Sequence, residues 1–342
     1  MTQSPALNPE HIQVLCSRLG LGNPAGHATR VYGGFHHRMW RIDAGRRAYA
    51  VKQLSADADL RDPGTVHHYN VSEQIAETFA RHGIAAVAAL RGEAGYVQLV
   101  GGAGYLVYPW SDAVALDRRQ IDEQHGLKIA RLLAAMHRAD IDVPGVRSTQ
   151  YAMCPAESIH ELVRRAGDCH VLCAKALSEH LQSFIEIGAA YAAATELLQS
   201  HLVIGHGDMD QKNVLWDAMQ RPLVIDWESA RKLNPTYELV YVALDWSGIA
   251  STFDPSLFEK FVSAYRRAGG VIESDVLEAA LQCILGDWLI WLLYIVALSL
   301  DEADPEQRAI EAEQIDFVLP TIVRLKRLAP ELLSTTFGVA AC

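Results

Sequence analysis

The sequence predicts an α+β chain in two lobes, with a small antiparallel sheet at the N-terminal end and a larger, mainly helical part after it. Short runs of strand character crowd between residues 29 and 108, separated by glycine-marked turns, and helical periodicity takes over after about residue 120. The length of 342 residues also exceeds what one hydrophobic core ordinarily organises.

Composition narrows the class. With 50% hydrophobic and 21% charged residues the chain is an ordinary globular one without long disorder. A formal net charge of −11 opposes a basic face for nucleic acid or an anionic membrane. Neither is expected as a partner; a small-molecule substrate is, and the acidity tolerates a cationic one. The oligomeric state is not encoded in any pattern. Among the 6 cysteines no two pairs have zinc-ligand spacing, so reduced, structural thiols and a cytoplasmic location are expected. The opening residues MTQSPALNPEHIQ lack the basic and apolar regions of a secretory signal. The most apolar run, residues 288–300 (WLIWLLYIVALSL), is too short to span a bilayer and reads as part of a buried helix.

Taken in order, Pro9 sits where a first helical turn tolerates it, and Ile12, Leu15 and Leu19 recur at helical spacing up to Gly20. Residues 29–32, 39–42 and 48–54 then read as an antiparallel meander. The first turn carries Gly33-Gly34-Phe35-His36-His37-Arg38, where Gly33 and Gly34 would let the backbone approach nucleotide phosphates. On the third strand Ala50-Val51-Lys52 matches the V-A-I-K setting of a phosphate-binding lysine. Such a lysine needs a carboxylate partner. The helix over 65–82 offers Glu73, the preferred partner, and Glu77 one turn later on the same face.

Residues 87–90, 96–100 and 105–108 read as the remaining strands of the small sheet. The proline-marked stretch 109–112 (PWSD) suits a hinge. Backbone groups about Tyr108 and Trp110 are the candidates for hydrogen bonding an adenine edge. The expected division is therefore a nucleotide-binding lobe over 1–108, a hinge over 109–112, and a catalytic and substrate-binding lobe over 113–342. Helices are expected over 121–139, 158–165, 176–202, 237–247, 255–268, 275–300 and 305–328. Short strands at 202–204, 214–216 and 223–225 bracket the motif that carries the chemistry.

That motif is residues 203–230, VIGHGDMDQKNVLWDAMQRPLVIDWESA. Asp208 and Asn213 stand at the spacing of the catalytic Asp and metal-binding Asn in the kinase pattern H-R-D-L-x-x-x-N, and Asp226 follows on a second apolar strand. Phosphoryl transfer asks for an oriented hydroxyl, metal on the phosphate oxygens and positive charge over the departing group. Asp208 can orient or accept the hydroxyl proton, and Asn213 and Asp226 offer hard oxygen ligands for Mg2+. His206 braces the loop, and Gly207 lets the chain turn sharply into Asp208. Glu228 is a second ring of support for the metal, a metal ligand or a substrate contact.

HGDMDQKNVLW followed by VIDWESA resembles the aminoglycoside phosphotransferase and choline kinase superfamily, whose motif reads H-G-D-x-x-x-x-N followed by I-D-x-E. The resemblance runs from about Gly33 to about Leu244. It implies a protein-kinase-like fold with a five-stranded N-terminal lobe, a hinge and a helical C-terminal lobe. It further implies that Asp208 is the base, that Asn213 and Asp226 bind Mg2+, and that Lys52 with Glu73 holds the phosphates of ATP, with GTP equally open. Members often carry His-Pro-Gly where this chain has Asp210-Gln211-Lys212, so Lys212 either offsets γ-phosphate charge or points to solvent.

Substrate contacts in such proteins come mainly from the C-terminal helices. Asp245 beside Trp246, and Asp287 beside Trp288 with Trp291 and Tyr294, pair acids with aromatics, which hold an ammonium at about 0.5–2 kcal/mol per aromatic contact. The tryptophans also recur at the spacing of a plain core helix. The leading expectation is an ATP-dependent kinase of a small cationic molecule, such as an aminoglycoside or other antibiotic. The alternatives are a metabolic kinase of the choline, homoserine or sugar type, and a catalytically silent nucleotide-binding protein.

Overall fold

The computed structural model describes residues 7–31, 37–55, 57–150, 152–169, 171, 173–301 and 305–338. Gly33 and Gly34 lie outside the described residues. In chain order the first elements are α1 (Pro9–Arg18), β1 (Pro24–Val31), β2 (Arg38–Ala44), β3 (Arg47–Gln53), α2 (Pro63–Arg81), β4 (Gln98–Val100), β5 (Ala103–Pro109) and β6 (Val114–Ala115). Next come α3 (Glu123–Ala139), α4 (Ala156–Asp168), α5 (Ala174–Leu197), β7 (Val203–Gly205), β8 (Val214–Trp216), β9 (Pro222–Val224) and β10 (Arg231–Leu233). The chain ends in α6 (Pro235–Trp246), α7 (Pro255–Arg267), α8 (Leu277–Asp301) and α9 (Pro305–Thr336). Two compact units result: Met1–Asp117 with Ile141–Val146 and Lys212–Ala230, and Arg118–Asp140 with Arg147–Gln211 and Arg231–Cys342.

The first unit is built on an antiparallel sheet of order β1-β2-β3-β5-β4. Alternation along β3 sets its two faces. Tyr49 and Val51 pack with Trp40, Ile42, Val107 and the α1 residues Ile12 and Leu15. Leu54 belongs to a second cluster with Ala89, Tyr96, Val97 and Leu106, and Lys52 shares that face by strand parity. Helix α2 starts cleanly because Asp62 caps the amides of Gly64 and Thr65 and Pro63 fills a position that needs no N–H. Its buried stripe is Val71, Glu73, Ile75, Ala76 and Phe79. A smaller sheet of order β6-β8-β9 carries the residues that follow Asn213 and precede Asp226.

Residues 87–90, expected as a strand, form no ladder. The Val87 amide donates to Val224 O and the Leu90 amide to Val107 O, so the segment divides its hydrogen bonds between two partners. Two very short strands, β6 and β10, carry too few residues for a period-2 pattern and were not expected.

The second unit is helical apart from the β7–β10 pair. Helix α8 packs on α4, α5, α6 and α9. Its N-terminal extension makes it much longer than its most apolar run suggests. Among the described residues, one stretch, Ser274–Leu300, is long and apolar enough to cross a membrane, judged by length and composition; half of its most apolar window is buried. Within α8 the close approach of α5 is fixed at Gly286, where a Cβ would lie 1.9 Å from Tyr191 Cδ2. The Tyr191 hydroxyl then donates to Asp287 Oδ1 at 3.1 Å. Gly286→Ala is therefore expected to destabilise the protein by about 1–3 kcal/mol through overpacking. Chemical denaturation measures this, and an unchanged midpoint would show that Tyr191 moves aside without cost.

Candidate active site

In the first unit the site grows from β3 and from the turn after β9. Lys52 is 7% exposed. Its Nζ donates to Asp226 Oδ1 at 2.7 Å and lies 3.3 Å from Glu228 Oε2. Burial opposes its charge, but Asp226 and Glu228 more than offset this and hold the ammonium above its ordinary range. Asp226 takes left-handed backbone angles (φ 64°), a conformation that Asp tolerates better than most residues, and starts a tight turn over Trp227–Ser229. Trp227 anchors that turn: its ring lies 5.2 Å from that of Phe79 in α2, and its Nε1–H donates to Val224 O. The Ile225 amide donates to Asn213 O, joining the two candidate metal-ligand segments at the backbone. The Asn213 side chain is buried, whereas Lys212 is exposed.

Glu73 is fully enclosed, yet its direct partners do not include Lys52. Tyr108 Oη–H donates to Glu73 Oε1 and the Ala89 amide to Oε2, each at 2.6 Å. Lys52 reaches it only through longer-range attraction. Glu77 is no substitute, since its Oε2 accepts from Tyr96 Oη at 2.6 Å and from Arg81 at 2.7 Å. The Tyr108 side chain is thus spent on Glu73. Trp110 sits under the Arg41 guanidinium, and its amide donates to Ala48 O, so that backbone donor is already used within the sheet.

In the second unit β7 delivers the sequence His206-Gly207-Asp208. His206 is completely buried, and its Nδ1 accepts from the Asp208 amide at 3.3 Å. Gly207 has φ 76°, the conformation its turn requires. Helix α6 then pins the loop. Glu238 Oε1 accepts from the Gly207 amide at 2.6 Å, and Trp246 Nε1–H donates to Met209 O at 2.9 Å. Glu238 Oε2 lies 2.7 Å from His137 Nε2, and His137 Nδ1 is 2.8 Å from Tyr265 Oη. Burial would raise the Glu238 carboxyl, yet His137 and the Gly207 amide bring it below its usual range. Sequence reasoning missed Glu238. The available signal was an acid inside the apolar helix ELVYVAL, matched by a histidine ending an apolar stripe in α3.

The candidate substrate residues lie on two helices of this unit. Along α6, Tyr237, Tyr241 and Asp245 repeat every fourth position, and the two tyrosine rings stack at 6.3 Å. On α8, Asp287 accepts from Tyr237 Oη at 2.5 Å as well as from Tyr191, so both of its oxygens are engaged within the protein. Burial raises its carboxyl above the ordinary range. Trp291 and Tyr294 stack at 5.5 Å, with Tyr294 49% exposed. Tyr241 stands amid acids: burial first, then Asp208, Asp245, Asp210 and Asp287, push its phenol well above the ordinary value.

Solved structures share this architecture across nearly the whole chain. A spectinomycin phosphotransferase in complex with ADP and spectinomycin matches with a TM-score of 0.69 at 13% identity, covering 95% of this chain and 100% of that one. An amicoumacin kinase in complex with AMP-PNP and Ca2+ gives 0.61 at 10% identity, covering 92% and 94%. A choline kinase from Streptococcus pneumoniae gives 0.55 at 16% identity, covering 91% and 99%. At these identities the likeness shows the fold, which is the protein-kinase-like α+β fold expected from the sequence. No curated protein matches the sequence. Residues 27–276 match the model of the phosphotransferase enzyme family, and the chain belongs to that family. By that membership it is a phosphotransferase enzyme.

Glu73 gives the site a pH signature. Burial pushes its carboxyl up to about 7 from an ordinary 4.5, against the hydrogen bonds from Tyr108 and Ala89. A raised folded value means that the associated stability is full below about pH 4.5 and is lost as pH rises through about 7. Glu73→Gln should flatten this decline by on the order of 2 kcal/mol across that window. Urea denaturation at several pH values tests it; parallel slopes for the two proteins would refute it.

Proposed function

We propose that this phosphotransferase moves the γ-phosphoryl group of ATP to a hydroxyl of a small cationic molecule, with aminoglycosides and other amine-bearing antibiotics as the leading class. What supports the cationic preference is the set of acids Asp208, Asp245 and Asp210, whose negative charge adds to burial in raising the Tyr241 phenol on α6. An acceptor bearing ammonium groups would relieve that concentration of negative charge. The half-exposed Trp291–Tyr294 stack offers it aromatic faces.

In this reading Asp208 takes the acceptor proton as the oxygen–phosphorus bond forms and ADP departs. His206 and Glu238 keep the loop in the shape that aims Asp208. Asn213 and Asp226 hold Mg2+, which neutralises charge on the phosphate oxygens when bound. The donor set fits that ion: two hard oxygens leave room for phosphate and water ligands, and Asp226 already attracts a cation, Lys52. Gly33, Gly34, Lys52 and Lys212 serve the phosphates, and residues 109–112 serve as the hinge beside the adenine. Solved relatives with ADP, AMP-PNP and Ca2+ support nucleotide and divalent-metal use. ATP as the donor and the free state of the described cysteines both suit a cytoplasmic location. A second reading is a metabolic kinase of choline or ethanolamine type, favoured by structural matches to enzymes of those names.

Phosphate transfer from labelled ATP to a panel of aminoglycosides, other amine antibiotics, choline, ethanolamine and neutral sugars distinguishes these readings. Cationic acceptors should be phosphorylated, and transfer only to neutral ones would sink the proposal. Asp208→Ala should lower kcat by about 100-fold or more. Lys52→Ala should weaken use of the magnesium nucleotide by at least about tenfold. Asp245→Asn should raise KM for a cationic acceptor severalfold while sparing KM for ATP.

A further inference from the structure

His37, the first described residue after the glycine turn, closes a chain of contacts that the motif itself does not contain. Its side chain is 8% exposed. The Ser55 amide donates to His37 Nδ1 at 3.0 Å, which makes that nitrogen the acceptor and leaves the proton on Nε2. Nε2 lies 3.0 Å from Glu228 Oε2, the same oxygen that is 3.3 Å from Lys52 Nζ. His37 is thus fixed at both ring nitrogens, and it fixes Glu228 in turn. The Tyr69 ring meets the imidazole edge-on at 6.1 Å and limits its tilt.

The kinase pattern assigns the lysine's counter-ion to the helix carboxylate, here Glu73. That carboxylate is occupied by Tyr108 and the Ala89 amide, and its burial favours the neutral form. Asp226 is the other direct partner of Lys52, but under the function proposed above it must turn its charge to the metal. Glu228 is then the anion left to Lys52. Its Oε2 stands 3.0 Å from His37 Nε2 and 3.3 Å from Lys52 Nζ. We infer that Glu228, held in place by His37, is the lasting counter-ion of Lys52 in the working enzyme, with His37 a positioning residue for nucleotide binding. The inference rests on the nucleotide-binding reading given above.

Affinity for ADP with Mg2+, measured by titration calorimetry on the full chain, tests it through mutant cycles. Glu228→Gln should weaken binding about tenfold, and His37→Ala by a similar factor. Combining the two should be no worse than either alone, because they act along one path. His37→Gln, whose amide carries both a donor and an acceptor, should recover most of the loss. On a Lys52→Met background Glu228→Gln should have no further effect, whereas Glu73→Gln should keep whatever effect it has alone. The inference is overturned if Glu73→Gln is the substitution whose effect vanishes on that background. Additive His37 and Glu228 effects, or a His37→Gln as weak as His37→Ala, overturn it too. Should His37→Ala fail to fold, the His37→Gln and Glu228→Gln pair decides by the same criteria. If the unaltered protein does not bind the magnesium nucleotide at all, the proposed function fails first, and the outcome is distinguishable from failure of the counter-ion assignment.

Discussion

The first unit depends on keeping one charged amine, Lys52, inside the protein. Burying an unpaired ammonium costs several kcal/mol even after relaxation, so the surrounding chain has to supply anions in place. β3 turns Lys52 away from the α1-packed face, and the turn after β9 brings Asp226 and Glu228 to it. Packing serves the same end. Trp227 buries against Phe79 and holds the turn by its ring, leaving the two carboxylates on either side of it free to meet the lysine.

The second unit solves a related problem with the charge reversed. Glu238 is 1% exposed, and its oxygens are matched by the Gly207 amide and His137. Gly205 shows how tightly this is built: a Cβ there would stand 2.0 Å from Glu238 Oε2. A buried carboxylate is a demanding clamp because its desolvation is recovered only while every partner stays in place. That demand ties the His206–Gly207–Asp208 turn to α6 through the bond from the Gly207 amide to Glu238.

Most of the fold was legible in the sequence because its elements obey simple periods. The strands about Lys52 and the helices α3 and α6 to α8 appear within a few residues of their expected bounds. The motif also singled out His206 and Asp208, which a hydrogen bond from the Asp208 amide to His206 Nδ1 joins. Less legible were contacts made by side chains far apart in sequence. Glu73 had the right helix and the right burial, but Tyr108 and the Ala89 amide reached it first. Residues 87–90 had strand composition without a single partner to pair with. His37 looked like part of a glycine turn; its bond to Glu228 spans 191 residues, and no local pattern announces it.

The placement of Asp226 and Glu228 two residues apart has a mechanical consequence. Successive side chains of an extended strand alternate in direction, so carboxylates at i and i+2 would share a face only while the backbone stayed extended. Here the left-handed Asp226 breaks the strand and opens the tight turn over Trp227–Ser229. Both acids still reach Lys52, and Trp227 is left to pack inward. A residue that resists the left-handed region at position 226 would therefore disturb two contacts of Lys52 at once, that of position 226 and that of Glu228 two residues on. Asp is among the few side chains that supply a hard oxygen and also tolerate that backbone. Pairing with Lys52 and backbone sterics thus favour the same residue at this position.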